Sequence, residues 1–177
     1  MVGRVKMMDS GIGGYLSGRS VPKLGLPSTI GSDVNLASLK GTTVVYVYPR
    51  TSPLNQLPIE GWDQIPGARG CTRQSKEFST YHDNIIAAGA DRVFGLSTQD
   101  TVYQAEMKNR LGLPFDVLSD NQLAFAGALR LPTFDAGGMT LLTRITLIIR
   151  NGVIERVFFP VTDPADNAKE VLTYFRK

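Results

Sequence analysis

Residues 42–50 read Thr42-Thr43-Val44-Val45-Tyr46-Val47-Tyr48-Pro49-Arg50. The β-branched and aromatic run from Thr42 to Tyr48 lacks the polar alternation of a half-exposed strand, so the segment is expected to be buried on both faces. Pro49 has no N–H to give to a ladder and ends it. A strand of this kind needs helices on both sides of its sheet, and the flanking sequence supplies them. A Pro- and Gly-rich loop covers residues 50–70. A helical stretch follows from about Cys71 to Ala88, with Phe78, Ile85 and Ile86 on its apolar side and Gly89 as its stop. Residues 91–97 read as a second short strand. Asp100 caps a helix running to about Leu111, ended by Gly112 and Pro114. Residues 121–129 read as a further short helix. Thr140 to Arg150 is strand-like, Asn151-Gly152 is the preferred type I′ turn, and Val153 to Phe159 returns. Pro164 and Asp166 open a last helix with Ala168, Val171, Leu172 and Phe175 on one side. The order β-α-β-α-α-β-β-α predicts an α/β fold with a mixed central β-sheet flanked by helices.

A length of 177 residues suits one domain with a sizeable core. The formal net charge is only +3. Arg4, Lys6, Arg19 and Lys23 against Asp9 account for all of it, so the remainder is neutral and offers no basic face for nucleic acid. No apolar run reaches the ~18 residues of a transmembrane span, and no secretory signal pattern opens the chain. A cytoplasmic protein without nucleic-acid or membrane partners is expected. Residues 1–25 are expected to form a partly flexible N-terminal arm or edge hairpin, and residues 26–177 the domain. The run Ser10-Gly11-Ile12-Gly13-Gly14-Tyr15-Leu16-Ser17-Gly18 does not match the spacing of a phosphate-binding loop.

One cysteine, Cys71, and one histidine, His82, exclude much. No disulfide can form within the chain, and no Cys/His zinc centre can be built; no metal or cofactor is expected. His82 lies eleven residues beyond Cys71, about 16 Å along a helix, too far for a Cys–His pair. A packing or surface histidine is expected. Cys71 sits at a loop-to-helix junction, where unpaired N–H groups and the helix dipole favour negative charge. Between Asp63 and Glu77 the only charged residues are Arg69, Arg73 and Lys76; helical spacing is expected to put Arg73 and Lys76 on different sides, so both need not face the sulfur. Trp62 is expected to pack the inserted loop, or else to line the mouth of a site or a dimer contact.

These segments resemble the peroxiredoxins, thiol peroxidases of thioredoxin-like fold, and look closest to the peroxiredoxin Q (bacterioferritin-comigratory) branch. The likeness runs from about Leu26 onward. It is carried by Val44 to Arg50, by Pro66-Gly67-Ala68-Arg69-Gly70-Cys71-Thr72, by Phe94 to Asp100, by the loop Leu113 to Asp120, and by Arg144 opening the segment Arg144 to Ile149.

The resemblance implies that Cys71 is the peroxidatic nucleophile, that Arg144 holds the thiolate and the peroxide, and that Pro49 shields the site. The family's hydroxyl three residues before the cysteine is Ala68 here, in a motif split by an insertion of about fifteen residues. Thr51 is the candidate replacement. The resolving cysteine expected five residues after Cys71 is Lys76. The resemblance therefore implies a peroxidase for hydrogen peroxide or organic hydroperoxides that is one-Cys, or a two-Cys one that has lost its second thiol. An external thiol would recycle it: glutathione, another low-molecular-weight thiol or a redoxin protein. It also admits a homodimer. A redox sensor or thiol-dependent chaperone with little turnover is the alternative, and a silent interaction module is the third reading.

Acidity alone does not make such an enzyme. Lowering a thiol from pKa about 8.5 to about 6.5 raises the thiolate fraction about 25-fold at pH 7 but costs about 8-fold in nucleophilicity. The remaining acceleration must come from fixed donors around the peroxide. The candidates are the backbone N–H groups of Gly70 and Cys71 and the Arg144 guanidinium.

Overall fold

A computed structural model describes residues 11–53 and 55–177. Its main sheet has five strands in the order β3-β2-β1-β6-β7. β1 (Thr42–Val47) runs parallel to β2 (Arg92–Ser97), and β2 parallel to β3 (Asp116–Ser119). β6 (Ile145–Arg150) pairs antiparallel with β1 on its other side, and β7 (Val153–Phe158) closes the edge antiparallel to β6. The helices are α1 (Gly11–Leu16), α2 (Cys71–Ala87), α3 (Thr101–Leu111), α4 (Ala124–Leu129) and α5 (Asn167–Phe175). This is the expected mixed sheet flanked by helices.

The reading of residues 42–48 holds because β1 lies at the centre of the sheet with every residue buried. Val45 and Val47 join one core with Ile12 and Leu16 of α1 and Phe125 and Leu129 of α4. Val44, Tyr46 and Tyr48 point the other way, into a core with Phe78 of α2, Met107 of α3 and Val171 of α5. The period-two alternation of a strand divides one apolar run between two helical layers.

Local signals set the element ends. The Asp100 carboxylate accepts from the Tyr103 N–H and caps α3, and Gly112 ends that helix at φ 61°. Asn151 (φ 49°) and Gly152 (φ 79°) supply the two left-handed residues of the type I′ turn. A side chain at residue 152 would meet the Ala37 carbonyl oxygen at 2.6 Å, so glycine is required there on steric grounds as well.

Three expectations need correction. Residues 140–150 are not one strand. β5 (Met139–Leu142) pairs with β4 (Thr133–Ala136) in a separate two-stranded sheet, and the chain changes sheets at residues 143–144 before β6 begins. Residues 113–120, expected as a loop, contain β3, whose four residues pair beside β2. Asp120 then accepts from the Phe125 and Ala126 N–H groups at the start of α4, which begins at Ala124 rather than near residue 121.

The arm expected over residues 1–25 is docked from residue 11 onward. Ile12 and Leu16 are buried, and Gly18, Arg19 and Val21 hydrogen-bond with Ile154 and Gly152 along the outer side of β7. Covering that edge removes unpaired strand groups from solvent. The rest of the expected arm, residues 1–10, lies outside the described residues.

Candidate active site

The topology brings three chain segments to one end of the sheet. β1 delivers Tyr48 and Pro49 at its C-terminal end. Ile145 pairs with Val47, so Arg144 sits level with that end. The turn 67–70 and the first residue of α2 pack against the same place. Open α/β sheets commonly place ligands at the carboxyl ends of their parallel strands.

Gly70 precedes α2 in the left-handed region at φ 99°, and no side chain caps the helix start. The first-turn N–H groups are therefore available to a ligand or water. A side chain on residue 70 would meet Pro164 Cγ at 2.8 Å. Gly70→Ala is thus expected to combine left-handed strain of ~1–2 kcal/mol with displacement of Pro164. Its melting temperature should fall by roughly 2–8 °C, measurable by circular dichroism.

The Cys71 sulfur is nearly buried, at 5% exposure for the residue. It lies 3.6 Å from the Ala68 carbonyl oxygen and accepts from Arg144 Nη2 at 3.2 Å. Arg144 is only 3% exposed and has no carboxylate partner among the described residues. Nη2 shares its two hydrogens among Sγ and the carbonyls of Gly67 (3.2 Å), Ala68 (3.4 Å) and Arg69 (2.9 Å). Nη1 donates to Gln74 Oε1. A buried guanidinium surrounded by neutral acceptors is poorly compensated. Sulfur is the one contact able to carry a full negative charge.

Gln74 belongs to a chain of buried polar groups that the sequence reading did not identify. Its Nε2 donates to Asn167 Oδ1 at 3.0 Å, and Thr146 Oγ1 donates to the same oxygen at 2.7 Å. This chain fixes Gln74, and Gln74 fixes Arg144, without adding an anion. Gln74→Glu would supply a competing counter-charge 70 residues away in sequence but in direct contact with the guanidinium. It is expected to slow oxidation of Cys71 by about tenfold, the lower end of the 10–100-fold seen when outer-shell partners of metal sites are mutated. A stopped-flow record of Cys71 oxidation checks this.

Thr51 lies in the same cleft as Cys71 and is buried. Its backbone is clamped by Gln99: the Thr51 N–H donates to Gln99 Oε1 and Gln99 Nε2 donates to the Thr51 carbonyl, both at 2.8 Å. Gln99 was also not foreseen. The Thr51 hydroxyl has only a long contact of 3.4 Å to Gln99, which leaves it able to turn toward a ligand. Ala68 is fully buried and offers no hydroxyl. Pro49 is buried and precedes the lining residues Arg50 and Thr51 without lining the cleft itself.

The cleft over Cys71 encloses about 450 Å³. Trp62 lines it and also packs near Phe134 of β4, with ring centroids 6.2 Å apart. Tyr46 and Tyr48 are fully buried beside Cys71, and burial pushes both phenols well above their ordinary range. Neither is an acid at neutral pH. His82 is placed on α2 against Phe115, with ring centroids 5.8 Å apart, and has no part in the site. Among the described residues no cluster of three His, Cys, Asp or Glu side chains could hold a metal ion. No described helix is long and apolar enough to cross a membrane.

The sheet topology and its flanking helices define a thioredoxin-like domain, with a buried cysteine at a helix start and a guanidinium on its sulfur. The family described as Redoxin matches residues 16–172, and the chain belongs to it. Peroxiredoxin Q proteins are among the curated relatives to which it is similar. The chloroplastic peroxiredoxin Q of Oryza sativa subsp. japonica is 31% identical over 157 residues, 88% of this chain. The chain spans 64% of the length of that curated relative. The solved structure of peroxidoxin BcpB from Mycobacterium tuberculosis superposes with a TM-score of 0.70 at 20% identity, covering 90% of this chain and 96% of the other. A Xanthomonas campestris peroxiredoxin Q structure gives 0.69 at 22% identity, covering 88% and 94%.

Proposed function

We propose that this protein is a thiol-dependent peroxidase that reduces hydrogen peroxide or organic hydroperoxides through Cys71. The observation that carries the proposal is the buried Arg144 guanidinium, 3.2 Å from Sγ and without a carboxylate partner among the described residues. The Cys71 thiolate attacks the terminal hydroperoxide oxygen. The S–O bond forms as the O–O bond breaks, leaving Cys71 sulfenic acid and an alkoxide or hydroxide that takes up a proton. Arg144 orients the peroxide and offsets the developing charge. Thr51 and the Gly70 and Cys71 N–H groups are the further donors assigned to it.

The chain holds one cysteine, so it supplies no internal thiol to reduce the sulfenic acid. An external thiol completes the cycle, which makes this a one-Cys mechanism. A cytoplasmic setting is proposed because a free, reactive thiol recycled by other thiols suits a reducing compartment. A homodimer is the proposed assembly to test, by light scattering.

The activity test is peroxide consumption with glutathione or a redoxin protein as electron donor. Catalytic loss of peroxide supports the proposal. Labelling of Cys71 by a sulfenic-acid probe without turnover would leave a redox sensor instead. No labelling would leave an interaction module.

A further inference from the structure

The cleft above Cys71 is lined by Arg50, Arg73 and Lys76 and, among the described residues, by no carboxylate. Arg73 and Lys76 are exposed and Arg50 is half-buried. None of the three makes an ion pair among the described residues, whereas Arg69 in the neighbouring turn pairs with Asp63 at 3.2 Å, and Lys108, Arg110 and Arg150 each have a carboxylate partner. Arg50 Nε is buried without a hydrogen-bond partner. Arg73 and Lys76 do not lie on different sides of α2 as expected: three residues apart, they are neighbours on its surface and line one cleft. Three unpaired cations at one opening make a local positive potential that attracts anions.

Hydrogen peroxide is neutral and small, so it gains little from charges around the opening. The cations around the opening are placed for a larger molecule whose reactive end reaches Cys71 while its anionic groups stay outside. Resting on the peroxidase reading above, we infer that this opening docks the recycling reductant, and that the reductant is a carboxylate-bearing low-molecular-weight thiol. Pro58 and Trp62 line the same cleft and give its uncharged backbone an apolar wall. A volume of about 450 Å³ is in the range of small-molecule sites.

The chemistry balances with two equivalents of that thiol. The first attacks Cys71 sulfenic acid: the S–O bond breaks, a mixed disulfide forms, and the hydroxyl leaves as water with the thiol proton. The second attacks the mixed disulfide, releasing reduced Cys71 and the symmetric disulfide. In the mixed disulfide the carboxylates of the bound thiol lie beside Arg73 and Lys76.

The test forms the sulfenic acid with one equivalent of hydrogen peroxide, confirms it with a labelling probe, and follows its reduction by several thiols at equal thiolate concentration. Glutathione and 3-mercaptopropionate are compared with neutral 2-mercaptoethanol and cationic cysteamine. Exposed ion pairs are each worth up to about fivefold, so the anionic thiols should react about tenfold faster than the neutral one in low salt. The preference should largely vanish in molar salt. The doubly charge-reversed variant Arg73→Glu/Lys76→Glu should invert it, making cysteamine the faster reductant.

Equal rates for all thiols, or a preference untouched by the double variant, would overturn the inference. So would reduction by redoxin proteins alone. If the double variant instead slowed only oxidation by a carboxylate-bearing alkyl hydroperoxide, the opening would serve that substrate and the inference would fall. Failure to form any sulfenic acid would overturn the peroxidase reading and this inference together. Sulfenic acid that forms but is reduced without charge preference would overturn this inference alone.

Discussion

Cys71→Ser is expected to abolish catalytic peroxide consumption while leaving the fold in place. A serine hydroxyl is not a nucleophile at neutral pH without a base, and His82, the one histidine in the chain, lies elsewhere on α2. The substitution is nearly isosteric. The oxygen can still donate toward the Ala68 carbonyl and accept from Arg144, the two contacts the sulfur now makes. Stability should therefore change by no more than ~1 kcal/mol, about 2–4 °C in melting temperature for a chain of this size. Complete loss of turnover with an unchanged circular dichroism spectrum is the expected pair of results. Residual turnover at the wild-type rate would show that the nucleophile is elsewhere.

Arg144→Ala is expected to lower the rate of Cys71 oxidation by roughly 10²–10³-fold, the usual cost of removing one preorganised donor from a charge-developing centre. It should also loosen the turn before α2. Arg144 is the shared donor to the carbonyls of Gly67, Ala68 and Arg69. Leaving such groups unsatisfied costs ~1–3 kcal/mol. Arg144→Lys keeps the charge but cannot reach Gln74 and the turn together, because an ammonium is a single compact donor rather than a fork. It should recover part of the stability and little of the rate. The contrast separates a catalytic role from a merely structural one. Trp62 is the single tryptophan of the chain and lines the cleft, so its fluorescence can report Cys71 oxidation in a stopped-flow experiment. Arg144→Ala should also lose more rate than Lys76→Ala, and equal losses would contradict the role given to the guanidinium.

The parts of this architecture that were legible in the sequence are those fixed locally. Residues 42–48 announce a strand buried on both faces, Asn151-Gly152 announces a hairpin, and Asp100 and Gly112 bracket α3. The start of α2 at Cys71 was legible from the Gly-rich segment before it. Arg144 was implied by family resemblance, and its contacts came only from the fold.

What stayed hidden depends on distant partners. Residues 140–150 look like one strand because nothing local marks the change of sheet at residues 143–144, where Arg144 bonds to the turn 67–69 and to Gln74 instead of continuing β5. Helix α1 contains three glycines in six residues, a composition unfavourable to a helix. Its buried Ile12 and Leu16 join the core and outweigh that propensity. Gln74 did leave a signal. It lies three residues after Cys71, on the buried stripe Cys71, Gln74, Ser75, Phe78 of α2, and a polar residue on such a stripe asks for a buried partner. The clamp between Thr51 and Gln99 spans 48 residues and left none.

The most direct test of the central claim is mass spectrometry of the reduced protein after one equivalent of hydrogen peroxide. Wild type should carry a single added oxygen on Cys71, trapped by a sulfenic-acid reagent and removed by added thiol with renewed peroxide consumption. An unmodified Cys71 in the presence of consumed peroxide, or a sulfenic acid that no thiol reduces, would contradict the account.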